Sequence, residues 1–164
     1  MSKHTEAVEA IRARYRPRQI STLFVGESAP NSGDFFYYGN TALTGYMADA
    51  MKAAGLRGDG DFLDRFKAYG WYLDDLVLTP VNYLGRSQRK KECRDARASM
   101  AARIKEYQPR AIVSLLLSIR DDVEISAGNA RSDAPLFAVP FAGMGQQPRF
   151  LKEMARIIPK LPRN

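Results

Sequence analysis

The chain holds one cysteine (Cys93) and one histidine (His4) in 164 residues. A single cysteine excludes a disulfide within the chain and an Fe–S cluster held by four of its own thiolates. A lone histidine near the amino terminus disfavours both a Ser-His-Asp triad and a Cys/His zinc site. No apolar run approaches the length that spans a bilayer, and residues 2–6 lack the apolar core of a signal peptide. A cytoplasmic location with no membrane partner is expected. Neither Gly-x-Gly-x-x-Gly nor Gly-x-x-x-x-Gly-Lys occurs, so nothing supports a dinucleotide site or a P-loop. No cofactor is expected, and the chemistry must rest on carboxylates, amides, hydroxyls and backbone groups.

What the chain does have is positive charge. Its net charge is +7, which invites a polyanionic partner. Residues 86–105 carry eight basic side chains (Arg86, Arg89, Lys90, Lys91, Arg94, Arg97, Arg103 and Lys105) against Glu92 and Asp95. Residues 57–75 are acidic by comparison. A basic helix of this kind is either a solvated face or a phosphate contact, and composition does not choose between them.

The length suits one domain with a real core. No repeat, low-complexity tract or linker divides it, so residues 1–164 read as a single unit. Helices are expected over 5–15, with Ala7, Ala10, Ile11 and Tyr15 inward, over 41–54, over 61–69 and over 89–107. A short helix over 121–126 and a last one over 148–158, opened by Pro148, complete the set. Strands are expected over 20–25, 73–81, 111–117 and 136–141. The run at 111–117 is apolar without alternation, the mark of a strand covered on both faces. Alternation of helix and strand argues for a parallel sheet with right-handed crossovers and helices on both faces.

In such a sheet the carboxyl ends of the strands carry the site. Here they lead into residues 26–38, 79–85, 118–122 and 140–147. The first of these loops is the most informative. An apolar strand stops at Gly26-Glu27, small turn-forming residues follow, and then comes the aromatic cluster Phe35-Phe36-Tyr37-Tyr38. A carboxylate beside flat rings suits a flat polar ligand such as a nucleobase. Four successive aromatics cannot all face one pocket, so at most two belong to the site. Glu27 either serves that site or caps a neighbouring helix. Asp74 and Asp75, costly if buried alone, need a salt bridge or the pocket.

Gly26-Glu27-Ser28-Ala29-Pro30, followed by Gly33-Asp34-Phe35-Phe36, resembles the first motif of the uracil-DNA glycosylase superfamily. The nearest likeness is its thermophilic branch, which carries Gly-Glu-Ala-Pro-Gly and then Gly-x-x-Phe. Residues 72–81, 89–109 and 111–117 resemble the next strand, helix and strand, so the likeness spans most of residues 20–158. It implies a three-layer α/β/α fold with a central four-stranded parallel sheet. It also implies a DNA partner and excision of a damaged or deaminated base by hydrolysis of its N-glycosidic bond. On that resemblance Glu27 is the catalytic carboxylate, steadying the sugar cation or holding water. Phe36 stacks on the base, while Asp75 and Asn82 read its edge. Met144, between two glycines, wedges into the duplex, and Ser28, Arg89, Lys90 and Arg149 contact DNA. The departures are equally plain. Asp75 stands where the family has an asparagine, Val139-Pro140-Phe141-Ala142 replaces a His-Pro motif, and the branch's cluster cysteines are missing.

Two other readings remain at this stage. The lost histidine and Asp75 favour a non-catalytic module that binds nucleic acid or a nucleotide on the same fold. A small-molecule enzyme on a flavodoxin-like sheet ranks last.

Overall fold

Residues 2–164 are described by a computed structural model. Strand β1 (Thr22–Gly26) follows helix α1 (Lys3–Arg14), and α2 (Ala42–Ala53) and α3 (Phe62–Ala68) lead to β2 (Trp71–Asp75). Helices α4 (Arg86–Asp95) and α5 (Arg97–Tyr107) lead to β3 (Ala111–Ser114). Helix α6 (Arg120–Asn129), β4 (Leu136–Ala138) and α7 (Gln147–Ile157) close the chain. The strands form one parallel sheet in the order β2-β1-β3-β4. Helix α5 packs on α6 and α2 packs on α7, and right-handed crossovers put these pairs on opposite faces of the sheet. The three-layer α/β/α architecture expected from the sequence is therefore present. From β1 the chain steps outward to β2 and then returns to the far side of β1 as β3. That reversal opens a crevice beyond the carboxyl ends of β1 and β3.

Side-chain acceptors set three helix starts. Ser2 accepts from the Thr5 amide, Thr41 from Thr44 and Asp61 from Asp64. Phe24, Phe66 and Trp71 meet edge-on and tilted beneath the sheet, with centroids 5.2–5.9 Å apart, and supply much of the apolar burial on that face.

Several expected elements shift. Strand β2 ends at Asp75, well before Pro80, although Leu76 and Val77 stay buried in the loop that follows. β3 likewise ends at Ser114 and β4 at Ala138, although the Leu115 and Val139 amides still donate to Val25 and Ser114 on the neighbouring strands. The single helix expected over 89–107 is two helices meeting at Ala96, and the short one expected over 121–126 is longer. Helix α1 buries Thr5, Val8 and Arg12 rather than Ala7 and Ala10, while Ile11 and Tyr15 are partly covered.

Arg12 is the cause of that rotation. It donates to Asp75 Oδ2 at 2.8 Å and to the Leu73 carbonyl at 3.3 Å, and Asp74 and Glu9 lie within ion-pair reach. Four acidic and carbonyl partners make a buried guanidinium tolerable. Arg103 and the Tyr107 hydroxyl hold Asp74 from the other side, at 2.7 and 3.0 Å. The Tyr37 hydroxyl donates to Leu73 O at 3.0 Å and accepts from Leu73 N at 2.6 Å. β2 is an outer strand, so Tyr37 and Arg12 satisfy backbone groups that no neighbouring strand reaches.

Among the described residues no helix is long and apolar enough to cross a membrane.

Candidate functional site

All four loops at the carboxyl ends of the strands border one cleft of about 680 Å³. Of the candidate residues taken from the sequence, Glu27, Ser28, Phe36, Asp75, Asn82, Arg89, Met144 and Arg149 lie on its wall, and Lys90 does not.

Glu27 follows the last residue of β1, and its carbonyl accepts from the Val77 amide at 2.9 Å, which fixes the backbone. Its side chain is 14% exposed and accepts a hydrogen bond from Arg89 Nη2, in the first turn of α4. It turns into the cleft and caps no helix. The preceding Gly26 is required by space: a Cβ there would sit 2.5 Å from Asp75 Oδ1. Strands β1 and β2 thus bring two carboxylates to adjacent points of the same wall.

Asp75 is only partly available. Oδ2 is held by Arg12, while Oδ1 has no hydrogen-bond partner among the described residues and sits beside Gly26 at the cleft. Burial pushes its carboxyl above the ordinary range, against the pull of Arg12. Asp74, one residue earlier, is wholly engaged by Arg103, Tyr107 and Arg12.

Asn82 and Ser28 act on the loops themselves. Asn82 Oδ1 accepts from the Asn31 amide at 3.1 Å and its Nδ2 donates to Asn31 Oδ1 at 3.2 Å. Ser28 Oγ accepts from the Val81 amide at 3.1 Å. These bonds tie the loop after β1 to the loop after β2 and give the cleft one firm side. Asn82 lies on the cleft wall, with its Oδ1 and one Nδ2 hydrogen engaged by Asn31.

The aromatic cluster divides as its crowding requires. Phe35 and Phe36 border the cleft, Tyr37 points into the core, and Tyr38 is exposed away from the wall. Phe36 is held edge-on and tilted by Phe62, Phe66 and Tyr37, so its ring is fixed. Phe35 covers the Arg12 guanidinium at 4.9 Å and so sits nearest the Arg12–Asp75 pair. The sequence allowed at most two of the four in the site and singled out Phe36, and Phe35 is the second at the wall.

The opposite rim comes from the loop after β4. Met144 is 91% exposed with φ 56°, and Gly145 follows at φ 79°. A turn closed by the Gln146 amide on Gly143 O, at 3.1 Å, holds this tip out. Gly143 leaves room for the half-exposed Phe141 ring, which a Cβ would meet at 2.6 Å. Arg149 donates to Gln146 Oε1 at 3.0 Å beside it. Phe141 and Arg12 were both missed. Phe141 follows a proline and precedes a small-residue turn, a signal that was there to use; Arg12 offered none.

Half of the basic stretch is spent internally. Arg89 pairs with Glu27, Lys91 with Asp95, Arg97 with Asp122 and Arg103 with Asp74. Cys93 is buried in α4, and burial pushes its thiol up to about 11. Among the described residues no group of three or more His, Cys, Asp and Glu side chains gathers as a metal would need.

No known family model matches this chain, and no curated protein matches it significantly.

Proposed function

We propose that the chain is a DNA glycosylase-like protein that takes a damaged or deaminated base into this cleft and hydrolyses its N-glycosidic bond. The carrying observation is the joint placement of Glu27, the fixed Phe35 and Phe36 rings and the exposed Met144 around one cavity. A base must leave the helix before its bond to the sugar can be reached. The buried rings offer it an apolar back wall, and Asp75 Oδ1 offers an acceptor to a ring N–H. Met144 is suited to the space the base vacates.

Bond cleavage sends the C1′–N electron pair out with the base and leaves positive charge on the sugar. Glu27 is placed to steady that charge and to orient water onto C1′, taking its proton as the C1′–O bond forms. Arg89 keeps the carboxylate aimed into the cleft.

The test uses duplexes carrying uracil, hypoxanthine or xanthine, scored for alkali-labile strand breaks. Glu27→Gln is expected to slow base release by about 10²–10⁴-fold, the usual contribution of a general acid–base group, with an unchanged melting temperature. Release that is indifferent to this substitution sinks the proposal.

A second reading draws on the Glu27–Arg89 pair and on the committed Asn82. A neutralised carboxylate and an occupied amide suit a module that binds nucleic acid or a nucleotide without cutting it. Saturable binding with no base released from any of the duplexes favours that reading.

A further inference from the structure

Ion pairing sorts the charges of α4 by face. Arg89 turns inward to Glu27, and Lys91 closes on Asp95. Arg86, Lys90 and Arg94 are left over: all three are exposed, and none has an acidic partner among the described residues. They stand four residues apart, which places them along one flank of the helix in steps of about 6 Å over about 12 Å. The row begins at the mouth of the cleft, where Asn82 and Arg89 form the wall. The residue capping this end of α4 is Gly85, which supplies no side-chain acceptor, so the first amides of the helix are also open at the head of the row.

We infer that this flank of α4 is a track for the phosphate backbone of a nucleic acid, leading the strand to the cleft. The partner follows from charge complementarity. Cations repeating at short, even intervals with no intervening acid match a polymer that repeats its negative charge, and each contact releases condensed counterions. The other two cations of the same helix, Arg89 and Lys91, are paired with Glu27 and Asp95, so its unpaired positive charge is confined to this row. The inference rests on the nucleic-acid reading of the cleft but needs no base excision, and the two can fail separately.

The experiment measures binding of the full chain to a fluorescent undamaged duplex and to the matching single strand across a range of sodium chloride. Arg86→Gln/Lys90→Gln/Arg94→Gln is compared with wild type and with a charge-matched control, Arg18→Gln/Lys52→Gln/Lys160→Gln. At about 0.9 per phosphate on duplex and about 0.7 on single strands, the row variant should flatten the slope of log K against log salt by about 2 to 3. Its affinity at low salt should fall by at least about tenfold, while the control stays near wild type. Because the slope is read on undamaged DNA, it is scored whether or not any base is ever released. Equal losses in the two triple variants would reduce the effect to net charge and overturn the track, as would an unchanged slope in the row variant. Displacement of the DNA by poly-glutamate at matched charge would overturn it too, by removing the preference for phosphate.

Discussion

Met144 combines two costs that a folded chain ordinarily avoids: an apolar side chain in water and a non-glycine backbone at φ 56°. The left-handed region costs an L-residue about 1–2 kcal/mol, and glycine escapes that cost while losing about 0.5–1 kcal/mol in chain entropy. Met144→Gly should therefore melt no lower than wild type and gain up to about 1 kcal/mol. If the side chain fills the gap left by a flipped base, the same variant should lose base release from duplexes far more than from single strands. A lower melting temperature would show that Met144 holds the loop together. Cys93 makes a simpler case. With its thiol raised to about 11 by burial, the folded protein should resist a thiol reagent at neutral pH and react fully once unfolded. Rapid labelling of the native state would contradict the packing of α4.

Among the elements, β2 shows how side chains can finish a strand. The Tyr37 hydroxyl both donates to and accepts from Leu73, at 3.0 and 2.6 Å. Tyr37→Phe should cost about 1–3 kcal/mol in urea denaturation, the range for a buried backbone group left without a partner. A cost near zero would mean that water replaces the hydroxyl. The element order and the layering were legible because apolar runs alternate with helical periodicity, and Thr41 and Asp61 announced their helices. Strand ends were not legible. Leu76, Val77 and Leu115 stay buried and still donate to Gly26, Glu27 and Val25 on the next chain segment, so neither hydrophobicity nor burial marks where the regular strand stops. The break at Ala96 carries no glycine or proline to betray it. The cleft was legible in outline, since strand-end loops must converge in a parallel sheet. Arg12 was hidden because its reason lies in Asp74 and Asp75, some sixty positions away along the chain. Asn82's bond to Asn31 was hidden for the same reason.

At the scale of the whole molecule, stability should respond to pH through the buried acids. Asp75 and Glu9 are both raised above the ordinary carboxylate range, chiefly by burial. Between the ordinary value and the raised one, the folded state holds more protons than the unfolded state, so their contribution to stability declines as pH rises. Measured against Asp75→Asn, wild type should lose relative stability as the pH rises above about 4, the ordinary carboxylate value. A relative gain over that interval would mean that Arg12 outweighs desolvation.

The closure of β2 by Tyr37 and Arg12 bears on the protein in concentrated solution. On the other side of the sheet, β4 is three residues long. One flank is closed at Leu73, in the middle of its strand, and the other is too short to template a long pairing. Fibre growth by templated strand addition should accordingly be slow until Tyr37 is replaced, and the Phe variant at that position should be the first to bind an amyloid dye on prolonged storage.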